Sequence, residues 1–209
     1  MISTQNIQFA YHAAAVFRFP DLVCAAGETL LVTGASGTGK TTLLHLLGGL
    51  LQPESGNIRV RDTNLAQLSG RALDRFRGSH IGIVFQQAHF VAALSVLDNL
   101  LLAGWLSQGK KDPARAKNLL ERLGIVEQSA KKPAQLSIGQ QQRAAIARAL
   151  MSAPTLLLAD EPTSSLDDPN AQIVADLLRE QARQSGAALI IVTHDQRLKQ
   201  LFHQQIELT

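Results

Sequence analysis

The chain has 209 residues, 45% apolar and 18% charged, and a net charge of +3. This is the composition of one ordinary globular domain, with room for an inserted subdomain but not for a second independent catalytic domain. With no Lys/Arg run and no basic stripe interleaved with aromatics, it argues against nucleic acid as a partner.

The lone cysteine, Cys24, sits in the apolar run at residues 22–26. It excludes an internal disulfide and reads as buried packing. The opening MISTQNIQF has neither the basic start nor the apolar core of a signal peptide. The greasiest stretch, residues 91–106, is broken by Ser95, Asp98 and Asn99 and is a poor membrane span. Work at a membrane would need a partner.

In chain order, residues 6–32 carry short apolar or alternating runs (NIQFAY, VFRF, TLLV) with breaks at Pro20–Asp21 and Gly27–Glu28, the pattern of strands joined by turns. GASGTGKTT at 34–42 follows the last of them and precedes LLHLL. A helix is expected over about 40–50, closed by Pro53. Ser55–Gly56 reads as a turn, NIRVRD as a strand, and 68–77 as a short amphipathic helix whose Arg71, Arg75 and Arg77 face solvent. IGIVFQQ (81–87) is a second buried strand. Helical periods then run over 94–106, 113–123 and 140–151, with Pro113 at a start and Gly124 at a stop. Residues 156–159 form a third strand ending in Asp160 and Glu161. A helix over 171–184 ends at Gly186, and 189–192 form a fourth strand before Thr193, His194 and Asp195. Strands alternating with helices predict a largely parallel α/β sheet with its ligand site at the carboxyl ends of the strands. The helical block 88–154 interrupts a core made of 1–87 and 155–209.

A strand, a glycine-rich turn and a helix start at 34–42 form the context of a phosphate-binding loop. Gly34, Gly37 and Gly39 let backbone N–H groups close around an anion, and the helix N-terminus adds its dipole. Lys40 would reach the β- and γ-phosphates and the Thr41 hydroxyl would ligate Mg²⁺. An Asp-Glu pair at a strand end is, alone, most often helix N-terminal charge. Beside a phosphate loop, Asp160 reads as the carboxylate that holds Mg²⁺ and Glu161 as the group that polarises water. Ser137, Gly139 and Gln140 precede a helix in LSIGQQQRAAIARAL; they are either an ordinary cap, with Arg143 and Arg148 in solvent, or a second anion grip serving the nucleotide of another copy.

GASGTGKTT, VFQQ, LSIGQQQRAAIARAL, LLLADEPTSSLD and IIVTHD, in this order over nearly the whole chain, resemble the nucleotide-binding subunit of ATP-binding cassette transporters. The resemblance implies a P-loop NTPase (RecA-like) core with N-terminal antiparallel strands and an inserted helical subdomain, using ATP and Mg²⁺. It implies an adenine-stacking role for Tyr11 and a nucleotide cradle of Gly34, Ala35, Ser36, Gly37, Thr38, Gly39, Lys40, Thr41 and Thr42. Gln86 would contact Mg²⁺ and the attacking water; Asp160 would hold the metal; Glu161 would be the base, with His194 as the switch that orients it. Ser137, Gly139 and Gln140 would grip the ATP of the opposite subunit, and Asp167 would sit at the dimer interface. Ile138 stands where the family usually has glycine, so a constrained backbone is expected there, because β-branched residues resist φ > 0.

The implied partners are a second copy and an integral membrane subunit, at the cytoplasmic face of the membrane. The short chain, LADEPT and RFRGSHIGIVFQQ look most like the lipoprotein-releasing and macrolide-exporting ATPases. An importer ATPase shares every catalytic motif, and a soluble non-transport cassette is the remaining rival. Asp98, Asn99 and the surrounding stretch from Val91 to Leu106 are expected to help form the groove for the membrane subunit.

Overall fold

The computed structural model describes residues 1–11, 16–164 and 166–209. Its elements, in chain order, are β1 (Ile2–Phe9), β2 (Phe17–Arg18), β3 (Val23–Cys24), β4 (Thr29–Gly34), α1 (Lys40–Leu47), β5 (Ser55–Val60), β6 (Thr63–Asn64), α2 (Gly70–His80), β7 (Ile81–Val84), α3 (Val96–Gln108), α4 (Pro113–Arg122), α5 (Ile138–Leu150), β8 (Leu156–Asp160), α6 (Asp168–Ser185), β9 (Ala188–Val192), α7 (Gln196–Lys199) and β10 (Gln205–Leu208). They build two sheets. One is antiparallel, in the order β2-β1-β5-β6 with β3 also on β1; the other is wholly parallel, in the order β10-β4-β9-β8-β7.

Apart from its edge strand β10, the parallel sheet is buried on both faces, which is why β4, β7, β8 and β9 are mostly Leu, Ile, Val and Ala. Strand periodicity divides them between two cores. Leu31, Leu157, Ala159, Leu189 and Ile191 pack with α3, α4, α5 and α6, while Leu30, Val32, Leu156, Leu158, Ile190 and Val192 pack with α1 and the antiparallel sheet. Cys24 is buried, and loss of water pushes its thiol up to about 11, so it packs rather than reacts.

Several expected boundaries shift for local reasons. Helix α1 stops at Leu47 because Gly48 and Gly49 follow. Ser55–Gly56 lies inside β5, where β1 pairs across a bulge, rather than in a turn. Gly56 has φ +91 there, and a Cβ would sit 2.4 Å from the Asn6 carbonyl. The antiparallel sheet therefore draws on residues after the phosphate loop as well as before it. Arg77 is not merely solvated: it donates to the Gly49 carbonyl (3.1 Å) and to Asp74 (2.7 Å). Helix α6 starts at Asp168, since Asp167 caps it by accepting from Asn170 N (3.0 Å). Strand β10, unassigned in the sequence, pairs residue by residue with β4 as far as Leu208 opposite Gly34. Asn99 is buried and internal. Its amide group accepts from Val91 N (2.9 Å) and donates to the Ser95 carbonyl (2.9 Å), so it braces the turn before α3 from within rather than from the surface. Among the described residues no helix is long and apolar enough to cross a membrane.

Candidate nucleotide site

Three adjacent strands of the parallel sheet deliver the site. Strand β9 lies between β4, which leads into the glycine loop, and β8, which ends in Asp160. Residues distant in sequence thus meet at neighbouring strand ends. A cavity of about 550 Å³ opens there, lined by Phe17, Ser36, Gly37, Gly39, Lys40, Thr41, Thr42, Gln86, Glu161 and His194.

The loop is closed from within. Thr38 Oγ1 donates to the Ala35 carbonyl (3.0 Å), and Lys40 Nζ bends back onto the carbonyls of Gly34 (2.9 Å) and Ala35 (2.8 Å). Gly39 caps α1 at φ +90, and a Cβ there would meet the Phe17 ring at 2.8 Å. Only glycine satisfies both the left-handed backbone and the close approach. The open helix N-terminus, the loop N–H groups and the Lys40 ammonium together can hold a polyphosphate.

Thr41 Oγ1 lies 3.3 Å from Asp160 Oδ1. Burial raises the Asp160 pKa above the usual carboxylate value, against the lowering effect of that hydrogen bond. No cluster of three His, Cys, Asp or Glu side chains able to hold a metal occurs among the described residues. One desolvated carboxylate and one hydroxyl, leaving room for water and phosphate oxygens, is a donor set that fits Mg²⁺ rather than a softer metal.

Glu161 has φ +46, an uncommon conformation for a residue with a side chain. Its carboxylate accepts from Thr193 Oγ1 (2.7 Å) and His194 N (3.1 Å), and His194 Nδ1 lies 2.7 Å away. The strand end of β9 therefore grips the side chain that β8 presents. Gln86 Nε2 donates to Ser164 Oγ (3.3 Å), tying the segment after β7 to the segment after Glu161.

Tyr11 stands at the edge of this group. Its hydroxyl is 3.3 Å from Thr42 Oγ1 and its ring packs edge-on against Phe9 at 4.7 Å. Phe17, rather than Tyr11, is the aromatic in the cavity wall, and the VFRF run was its only trace in the sequence. Thr193 also went unread, because its role depends on β9 lying beside β8.

Ser137, Gly139, Gln140 and Asp167 are not in this cavity. They line a second one of about 600 Å³ with Ile138, Arg143 and Asn170. Ser137 and Gln140 form a reciprocal cap, Gln140 N donating to Ser137 Oγ (3.3 Å) and Ser137 N to Gln140 Oε1 (3.0 Å). Ile138 is the first residue of α5, has no positive φ, and points its side chain outward, 60% exposed. The expected backbone constraint is absent, because a helix N-terminus requires no left-handed residue at that position. Arg148 does not face open solvent; it lies over the Phe90 ring at 4.8 Å and donates to the His89 carbonyl (2.8 Å).

Residues 20–164 match the family described as ABC transporter. The chain belongs to the ABC transporter family. As an ABC cassette it is an ATP-binding, ATP-hydrolysing subunit. It is 45% identical over 179 residues to the lipoprotein-releasing system ATP-binding protein LolD of Chromohalobacter salexigens, covering 84% of this chain and 75% of that one. The LolD of Legionella pneumophila is 39% identical over 206 residues, 95% and 90% of the two chains. The dimeric ATP-binding cassette MJ0796, solved in a post-hydrolysis state with ADP and Pi, superposes with a TM-score of 0.89 at 30% identity, over all of this cassette and 94% of that chain.

Proposed function

We propose that two copies of this cassette close head to tail around two ATP molecules, and that closure and hydrolysis drive an integral membrane subunit of the lipoprotein-releasing or macrolide-exporting kind. The observation that carries this reading is the separation of the two cavities. The one with Lys40, Glu161 and His194 has no residue from the start of α5, while Ser137, Gly139 and Gln140 line an open cavity of their own beside Asp167. Each cavity is half a site, and a two-fold pair would complete both.

In this reading residues 34–42 hold the phosphates, Lys40 leaving its own loop carbonyls for the β- and γ-phosphates, and Tyr11, at the rim of the cavity between Thr42 and Phe17, stacks on adenine. Thr41, Asp160 and Gln86 hold Mg²⁺, which when bound neutralises phosphate charge. Ser137 and Gly139 of the partner subunit meet the γ-phosphate. Glu161 accepts the proton of the attacking water. With Nδ1–H donated to Glu161, the His194 ring leaves Nε2 for the nucleotide side. The cassette would lie at the cytoplasmic face of the membrane, with exposed Val91, Trp105 and Leu106 as its apolar offer to the membrane subunit. The export assignment rests on the likeness to the LolD proteins.

Glu161→Gln tests the centre of this reading. It should keep ATP binding, lower turnover by about 10²–10⁴, the usual size of a lost general base, and accumulate an ATP-bound dimer in light scattering. Wild-type turnover, or a variant that stays monomeric at saturating ATP, would refute it.

A further inference from the structure

One side chain outside the nucleotide cavity joins the segments after β8 and β9. Arg197, in α7, sets Nε and Nη2 against the Asp195 carboxylate (2.9 and 2.7 Å) and Nη1 against Asp168 Oδ1 (2.5 Å). The same guanidinium reaches the carbonyls of Leu166 (3.3 Å) and Thr163 (3.4 Å). Asp195, its side chain only 10% exposed, closes the ring by accepting from Thr163 Oγ1 (2.8 Å). An exposed ion pair contributes little, but a fork engaging one carboxylate at two atoms, a second carboxylate and two carbonyls fixes a geometry.

The two segments so joined have different neighbours. Asp167, between Leu166 and Asp168, lines the second cavity with Ser137 and Gly139, whereas Thr193 and His194, immediately before Asp195, hold Glu161. We propose that Arg197 is a positioning residue that couples the two half-sites: it makes the turn after Glu161 and the end of β9 move as one, so that docking of a partner at Asp167 is felt by the donors that orient the catalytic carboxylate. This rests on the head-to-tail reading. Arg197 lines neither nucleotide cavity, so the coupling acts on turnover and on cooperativity between the two ATP molecules, not on the first binding event.

The test compares wild type, Arg197→Ala, Arg197→Lys and Asp168→Asn by steady-state ATPase kinetics, fluorescent-ATP titration and thermal melting. Arg197→Ala is expected to bind ATP within about twofold of wild type, lose about tenfold in kcat and bring the Hill coefficient down toward one. Arg197→Lys, which keeps the charge without the fork, should recover less than half of the loss. Asp168→Asn, which weakens only the exposed arm, should lower the Hill coefficient with a small change in kcat. A lower melting temperature with unchanged kcat and Hill coefficient in Arg197→Ala would make the contact structural only and overturn the proposal; if that variant does not fold, unchanged kinetics in both of the others overturn it equally. Dimerisation of Glu161→Gln separates the failures. A monomer at saturating ATP sinks the head-to-tail reading and the coupling with it, while an intact dimer combined with unaltered Arg197 kinetics sinks the coupling alone.

Discussion

The Glu161 carboxylate receives the Thr193 hydroxyl and the His194 amide, with the His194 ring at hydrogen-bond distance, while its own backbone sits at φ +46. Such a conformation costs roughly 1–3 kcal/mol. It is held by Glu161 N donating to the Val192 carbonyl and by Ser164 Oγ donating to the Glu161 carbonyl. Thr193→Val, nearly isosteric, removes the fully buried hydroxyl. A hydrogen bond to a charged group contributes about 1.5–3 kcal/mol, so kcat should fall roughly tenfold or more while ATP affinity, measured by titration, stays near wild type, Thr193 being outside the cavity. Lys40, Thr41, Asp160, Glu161 and His194 were legible because each falls in a run whose neighbours are diagnostic. Thr193, Phe17 and Arg197 were not, because what they touch is decided by which strands lie side by side.

At the scale of elements, the strands and helices with strong periodicity were readable and their ends were not. Hydrophobic pattern marks the middle of α6, but its first turn is polar and is set by the Asp167 cap. Strand β10 is four residues with exposed Gln205 and Glu207, and only its pairing with β4 makes it a strand. Helix α7 is equally short, four residues, and is held by Asp195, whose pKa is depressed to about 2, first by Arg197 and then by Thr163, against the opposing effect of burial. The sign follows from that direction. A carboxyl with a lowered folded-state pKa contributes stability above its ordinary value of 3.8 and loses it as pH falls toward 2. Melting temperatures taken between pH 6 and pH 2 should therefore drop more steeply below about pH 4 in wild type than in Asp195→Asn, which should start lower and change less over that window.

For the whole molecule, one parallel sheet serves two cores, and both cavities open to the outside. A mixing experiment reads this directly. Lys40→Ala should be inactive because its phosphate grip is broken, and Ser137→Arg because it blocks the partner's site. In a mixed dimer one composite site would combine the intact loop of one copy with the intact Ser137 of the other, so equimolar mixing should restore measurable ATPase activity. No recovery on mixing, with both variants folded and dimeric, would count against shared sites.

The parallel sheet also fixes when the site can exist. Strand β4 comes early in the chain, yet its two partners are β9 and β10: Thr29 pairs with Leu189, and Gly34 with Leu208. While the chain is being synthesised, the segment that leads into the phosphate loop has no neighbour on either edge until almost the last residue has emerged. The antiparallel strands of the N-terminal half can pair among themselves meanwhile, but β4 and the loop it leads into must wait, exposed to chaperones and proteases. A chain cut short by even the final strand would carry every recognisable motif and still leave one edge of β4, the strand that leads into the loop, bare.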